Sequence, residues 1–61
     1  GVYQGQIDNN SIEVKVGEIY MAFRSTNFET LLVGIETGDT VEIQYLTNSE
    51  GQNNIIELIK K

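Results

Sequence analysis

The chain has 61 residues, enough for one domain that buries only about 60% of the surface exposed by its unfolded form. Its formal charge of −5, from nine acidic and four basic residues, disfavours nucleic acids and anionic membranes as partners. Histidine and cysteine are both absent, which excludes the usual general base, disulfides and thiolate metal sites.

The first predicted strand, Val2 to Asp8, carries a glycine at its centre. Gly5 in mid-strand predicts a bulge or a sharp bend at a barrel corner. Alternation places Tyr3, Gly5 and Ile7 together on one face. The run ends at Asp8-Asn9-Asn10, where a turn is favoured because Asx side chains hydrogen-bond their own backbone. A calcium site is the alternative, but the spacing and glycine of an EF-hand loop are missing.

The next two runs, Ser11 to Val16 and Ile19 to Arg24, form a predicted hairpin. Gly17-Glu18 between them fits a two-residue type II′ turn, because glycine tolerates positive φ at its first central position. Alternation predicts that one set of side chains faces the core: Ile12, Val14, Val16, Ile19, Met21 and Phe23. It predicts that the other set faces outwards: Ser11, Glu13, Lys15, Tyr20, Ala22 and Arg24.

Four apolar residues then recur at helical rather than strand spacing: Phe28, Leu31, Leu32 and Ile35. This spacing predicts one short helix with a single apolar face. Thr26 followed by Glu29 has the spacing of a capping box, and Gly34 supplies a C-terminal stop.

Strand alternation resumes in the last third of the chain. In the fourth run one set of side chains is predicted to face inwards: Val41, Ile43 and Tyr45. The last run, Asn54 to Lys60, is apolar on both faces. Either the run is covered on both sides, or Ile56 and Leu58 face the core and the Ile55 and Ile59 face meets a partner.

Three strands, a helix and two strands predict an all-β fold, a small five-stranded OB-like barrel with one short helix between strands 3 and 4. An SH3-like barrel is the alternative, although such barrels usually place a 3₁₀ turn between the last two strands instead. No repeat or linker composition divides the chain, so residues 1–61 are predicted to form a single domain.

Four stretches resemble small β-barrel domains of secreted or lipid-anchored Bacillus-type proteins: Val2 to Asp8, Asn10 to Val16, Ala22 to Ser25 and Gly38 to Tyr45. In those domains a GQID-N-SIEVKV opening, an AFR-S step and a later GD-VE--Y strand recur. The resemblance implies a compact barrel on the outside of a Gram-positive cell. It implies no assigned activity and no catalytic residues.

The residue types present argue against an enzyme. Three serines occupy predicted turns or caps, and none has a histidine base: Ser11, Ser25 and Ser49. Glu13, Glu42 and Glu57 lie on predicted outward strand faces, where a solvated surface explains them. We therefore expect no catalytic residue, no metal and no cofactor.

The predicted recognition face is the outer surface of the second and third strands. Alternation places Lys15, Tyr20 and Arg24 there, with Gln4 and Gln6 alongside on the first strand. OB-folds bind oligonucleotides and oligosaccharides on this face, and an aromatic ring near two cations is the minimum that a stacking site requires. The flanking loops add hydrogen-bonding side chains: Asn9, Asn10, Asn48, Gln52 and Asn53.

A single exposed tyrosine is also an ordinary strand residue, and Glu13 on the same face opposes phosphate. We therefore expect a non-catalytic binding or interaction module, extracellular or on the cell surface, whose partner is a protein, a peptide or a saccharide. The alternative is an OB-type domain that binds single-stranded nucleic acid. No apolar run reaches the roughly 18 residues of a membrane span, so we expect no membrane insertion. We expect a monomer, or a weak dimer formed through unpaired strand edges.

Overall fold

The computed structural model describes residues 1–61 as five strands in one sheet and one short helix. The elements follow in chain order: β1 (Val2–Asp8), β2 (Ser11–Val16), β3 (Ile19–Arg24), α1 (Phe28–Leu31), β4 (Val41–Thr47) and β5 (Asn53–Lys60). The predicted all-β class, with five strands and one helix between β3 and β4, is confirmed. A turn without 3₁₀ helix joins β4 to β5, unlike the connection expected of the SH3-like alternative.

The strands lie in the order β1-β2-β3-β5-β4, and only β3 and β5 run parallel. That parallel contact is short, with two residue pairs at Phe23–Asn53 and Arg24–Asn54. The two edge strands meet at one end, where Gly1 and Val41 exchange backbone hydrogen bonds of 2.8 and 2.7 Å. No ladder continues beyond Val41, so the sheet is not closed along its length.

Strand β1 bends as its central glycine predicts. Gly5 has φ 139°, and the pairing with β2 slips once between Tyr3 and Gly5 and again between Gln6 and Asp8. Tyr3 is buried, but the prediction that Ile7 shares its face is wrong, because Ile7 is exposed. Each slip adds a residue to β1 and therefore changes which side chains face the core.

The β2–β3 hairpin has the predicted two-residue turn. Val16 pairs with Ile19, and Gly17 between them has φ 63°. Ile12 and Val14 are completely buried. The prediction of burial is wrong at the tip, where Val16 and Ile19 are exposed, although Val16 lines a groove that it shares with β4. At the opposite end of the hairpin, Ser11 is predicted to face outwards but is buried.

Helix α1 is a single turn that places Phe28 in the core. The other three residues of the predicted apolar face are partly buried against that core: Leu31, Leu32 and Ile35. The capping box is wrong, because Asn27 rather than Thr26 precedes the helix and makes no side-chain cap. Instead, the Asn27 N–H donates to Ser25 Oγ at 3.1 Å. The helix ends at Leu31 with Leu32 as its C-cap, so it is shorter than the apolar spacing predicts. Gly34, with φ 78°, lies two residues beyond the cap and not at the helix end.

The β4–β5 hairpin contains a bulge that reverses part of the predicted burial. Gln44 lies opposite Glu57, whereas Tyr45 lies opposite Ile55, which leaves Ile56 as the extra residue. Ile56 is therefore 60% exposed, and Ile55 packs against the core, contrary to prediction. Towards the C-terminal end of β5, Leu58 is buried and Ile59 is exposed, as predicted.

Seven buried residues form one core: Tyr3, Ile12, Val14, Phe23, Phe28, Val41 and Leu58. Four of them come from β1–β3, one from the helix and two from the β4–β5 hairpin. The Phe23 and Tyr45 rings meet edge to face with centroids 4.9 Å apart, and so link β3 to β4, which share no backbone pairing. No helix is long enough or apolar enough to cross a membrane.

Candidate functional site

Lys15 and Tyr20 lie side by side on the outer face of the β2–β3 hairpin. They are direct cross-strand partners close to its turn, so the hairpin register itself sets their contact. Lys15 Nζ lies 5.7 Å from the centroid of the Tyr20 ring, within the range of a cation–π interaction. Tyr20 remains 58% exposed. The pair, named here the Lys15–Tyr20 platform, offers an aromatic ring and a positive charge to solvent.

Arg24 lies on the same outer face but at the other end of β3. Arg24 follows Tyr20 by four positions in extended strand, about 13 Å along the chain. Its neighbours across the sheet are Ser11 on β2 and Asn54 on β5. Arg24 lines a shallow groove together with the residues around it: Asn10, Ser25, Thr26, Asn54 and Ile55. The structure therefore separates Arg24 from the Lys15–Tyr20 platform, with Ala22 between them.

The four basic side chains divide into two pairs. Lys60 makes an ion pair of 3.3 Å with Asp39, and Lys61 makes one of 2.7 Å with Glu42. The other two, which have no ion pair, both lie on the outer face of the β2–β3 hairpin: Lys15 and Arg24. The basic side chains that make no ion pair therefore all lie on the predicted recognition face.

Glu13 and Ala22 occupy the middle of this face. They are cross-strand partners, with Lys15 beyond Glu13 towards the turn and Arg24 beyond Ala22 towards the opposite end. Glu13 is half-buried, and its carboxylate lies on the path between the two cations. An anionic ligand that contacts both ends must pass this carboxylate, whereas a neutral chain meets no such repulsion.

The shifted pKa values of the chain belong to other parts of the structure. Hydrogen bonding from the Glu36 backbone N–H, and then Lys60, lowers the pKa of Asp39. Hydrogen bonding from Lys61 lowers the pKa of Glu42, and burial raises the pKa of the Tyr3 phenol. Both carboxylates are thus held in the charged form, the opposite of what a general acid needs near neutral pH.

The β1–β2 turn brings one of its two predicted site residues to the Arg24 groove. The Asn10 N–H donates to Asp8 Oδ1 at 2.8 Å, which is the predicted Asx turn. Asn10 Nδ2 reaches the Ser25 carbonyl at 3.4 Å, and Asn10 also lines the groove. Asn9 instead borders a neighbouring open pocket that extends from Gln6 to α1.

The β4–β5 turn uses its amide side chains internally. Asn48 Oδ1 accepts from the backbone N–H groups of Glu50 and Gln52, both at 2.9 Å. Asn48 Nδ2 donates to Gln52 Oε1 at 3.0 Å. Asn53 Nδ2 donates to the Ala22 carbonyl at 3.2 Å and so joins β5 to β3. These contacts stabilise the turn, and neither Asn48 nor Gln52 lines the groove beside Arg24.

Gln4 and Gln6 do not lie beside the Lys15–Tyr20 platform, and the sequence prediction missed Asn54. Gln6 lies opposite Ile12 and borders the pocket next to α1, away from the Lys15–Tyr20 platform. Gln4 falls in the first irregularity of β1, where its Nε2 donates to the Val2 carbonyl at 3.1 Å. Asn54 joins the Arg24 groove through the parallel β3–β5 contact, which local sequence periodicity does not reveal.

Comparison of the chain with protein-family models, with curated proteins and with solved structures finds no match. The resemblance to Bacillus-type secreted domains accordingly stays a prediction. No group of three or more acidic, histidine or cysteine side chains is arranged to hold a metal ion.

Proposed function

We propose that this chain is a non-catalytic binding module that recognises a peptide or a saccharide along the outer face of β2 and β3. The observation that carries the proposal is the location of its two unpaired basic side chains. Both Lys15 and Arg24 lie on this face, and the exposed Tyr20 ring lies beside Lys15. An aromatic ring provides a flat apolar contact for a sugar ring or a peptide side chain, and the cations fix polar groups at each end.

The fold supports this assignment by analogy. A five-stranded, partly open sheet with its helix between β3 and β4 is consistent with an OB-like barrel. Barrels of that type bind their ligands on the face of strands 2 and 3, which here carries the Lys15–Tyr20 platform. We propose an extracellular or cell-surface location on the separate ground of the resemblance described above.

Single-stranded nucleic acid is the second candidate ligand. It is favoured by the same unpaired cations and by the exposed ring, since bases stack on aromatic side chains. The net charge of −5 and the position of Glu13 between the cations oppose it. If this ligand binds, affinity must fall with added salt, and the slope must be shallow because few cations contact phosphate.

The test is an NMR titration of the ¹⁵N-labelled chain at low salt with two probes in parallel. One probe is a mixture of soluble peptidoglycan fragments, which carries both sugars and peptides. The other is a mixed-sequence single-stranded oligonucleotide of about eight nucleotides. Shifts at Lys15, Tyr20 and Arg24 with the first probe support the proposal. Shifts there with the oligonucleotide alone replace it by the second candidate, and no shift with either probe overturns both.

A pair of variants separates stacking from folding. Tyr20→Ala removes the ring and should weaken binding roughly ten-fold or more, because stacking on an aromatic side chain is worth about 1–3 kcal/mol. Tyr20→Phe keeps the ring and should bind nearly as well as the parent. Both variants should have nearly the same free energy of unfolding as the parent chain, because Tyr20 is exposed. Equal affinities for the two variants would contradict a stacking role.

A further inference from the structure

Strand β4 has one edge without a partner. Its other edge pairs with β5 from Val41 to Thr47. At the unpaired edge only Val41 is engaged, through the two hydrogen bonds that it exchanges with Gly1. Beyond that point no backbone hydrogen bond reaches this edge from any other element. A row of free backbone donors and acceptors at a sheet edge is a template for another strand.

Alternation identifies which backbone groups this edge presents. The Lys61 N–H donates to the Thr40 carbonyl, so the backbone groups of Thr40 point towards β5. Those of the next residue, Val41, point away from β5 to Gly1. Successive residues alternate in an antiparallel ladder, and Ile43 and Tyr45 therefore present their N–H and C=O groups in the same direction as Val41. The bulge in β5 does not interrupt this order in β4.

An apolar groove lies along the same edge. Its apolar lining comes from the end of β2, from β3 and from alternate residues of β4: Val16, Met21, Phe23, Val41, Ile43 and Tyr45. Val16 and Tyr45 are exposed at 42% and 40%, which leaves the groove open to solvent. Every second side chain of a strand added to β4 would point into this groove, because side chains directly opposite each other share a face.

We propose that the β4 edge binds an extended peptide of a partner protein as an antiparallel sixth strand. The peptide carries apolar side chains at alternate positions, which fill the groove, and lysine or arginine at the positions between them. The Gly1–Val41 pair already forms the first rung of such an antiparallel ladder and sets the register of its continuation. This site is separate from the outer face of β2 and β3.

Charge selects this occupant over a second copy of the chain. Two copies paired through their β4 edges would bring together two molecules of charge −5. A cationic peptide instead gains from the net charge as it approaches. The outward positions of the peptide would stand beside the outer side chains of β4, Glu42 and Gln44. Because Glu42 is already paired with Lys61 at 2.7 Å, the preference for basic residues rests on the net charge of −5 and not on a free carboxylate at this edge.

The test uses a capped synthetic peptide of alternating valine and lysine, about seven residues long. Binding is followed by NMR of the ¹⁵N-labelled chain. Shifts and slowed amide exchange at Ile43, Tyr45 and Thr47 are expected. Two control peptides carry backbone N-methyl groups, one on its valines and the other on its lysines. Methylated valines should abolish binding, because the valine that faces the groove is the residue whose N–H bonds to β4, whereas methylated lysines should be tolerated.

Two matched variants of the chain test the groove itself. Val16→Lys places a charge at its rim and should weaken binding about ten-fold or more. Val33→Lys makes the same change at a residue that is 76% exposed and lies outside the groove, so its binding should equal that of the parent. Thermal unfolding of both variants verifies that each is folded.

Three results would overturn the proposal. Equal binding of both methylated peptides would show that the attraction is electrostatic only. Concentration-dependent shifts at Ile43 and Tyr45 without peptide would show that a second copy occupies the edge. Shifts confined to Lys15, Tyr20 and Arg24 would place the peptide on the outer face of β2 and β3 and would leave the β4 edge unassigned. The last result would support the proposed function while it refutes this inference.

Discussion

Strand β2 and the β4–β5 hairpin both alternate apolar and polar residues, yet alternation predicts burial well only at the centre of β2. Strand β2 lies between β1 and β3, and its central residues Ile12 and Val14 are completely buried. Strand β5 meets β3 over only two residue pairs, and β4 has no strand neighbour on its other side. Only Val41 and Leu58 are buried in that hairpin. A pattern determines which side chains share a face, whereas neighbouring elements determine whether that face is covered.

The largest effect should come from Phe23→Ala in β3, the strand that lies between β2 and the β4–β5 hairpin. Phe23 is almost fully buried and packs against Tyr45. Its loss should cost about 3–5 kcal/mol, a large part of the roughly 3–9 kcal/mol typical of a chain this size. Leu46→Ala in β4 is the control, with an expected change within about 0.5 kcal/mol because Leu46 is 67% exposed. Urea unfolding measures both, and similar losses would contradict the difference in burial.

A smaller effect should follow from Gly5→Ala, which tests the bend in β1. An added Cβ would meet nothing closer than Thr37 Oγ1 at 3.9 Å, so space is available. The backbone is the obstacle, because φ 139° is a conformation that side-chain-bearing residues rarely adopt. We expect a loss of about 1–3 kcal/mol by urea unfolding. A neutral result would mean that β1 can straighten, and that its bend does not depend on glycine.

Ile55→Ala and Ile56→Ala test the bulge in β5 with the same substitution at adjacent residues. Ile55 packs against the core, and its truncation should cost about 1–2 kcal/mol. Ile56 is mostly exposed, and its truncation should change stability by less than about 0.5 kcal/mol. The reverse order of effects in urea unfolding would support simple alternation along β5 and contradict the bulge.

The smallest effect concerns Asp39, near the meeting of β1 and β4. Its pKa is lowered in the folded chain by the Glu36 N–H and by Lys60. A carboxyl group with a lowered folded pKa stabilises the fold above its unfolded value of about 4, and this contribution disappears as pH falls through the folded pKa. Asp39→Asn removes the titration. Its unfolding free energy should therefore fall less than that of the parent as pH is lowered from about 5 to 3.

Identical pH dependence of the parent and of Asp39→Asn would show that this carboxylate does not contribute to acid stability. Glu42→Gln is a useful companion variant, because the pKa of Glu42 is lowered by Lys61 instead. Since both lysines and Glu42 are exposed to solvent and Asp39 is partly exposed, added salt should reduce the difference between the parent and either variant.

The candidate site was predictable where it depends on local pairing. Lys15 and Tyr20 face each other because a two-residue turn fixes the register of neighbouring strands. The surroundings of Arg24 were not predictable, since Asn54 reaches them through a parallel contact between residues about thirty positions apart. The expected role of Asn48 and Gln52 fails for a related reason, because side-chain hydrogen bonds within the turn compete with any ligand.

The sequence by itself determined the number of strands, the bend at Gly5, the two-residue turn at Gly17 and the position of the helix, because each depends on residues close together in the chain. Only the tertiary structure decided which alternating faces are covered, where β5 bulges, and that one edge of β4 stays open above an apolar groove. These features depend on contacts between distant segments. Periodicity carries no information about such contacts, because it records only the neighbours of each residue along its own strand.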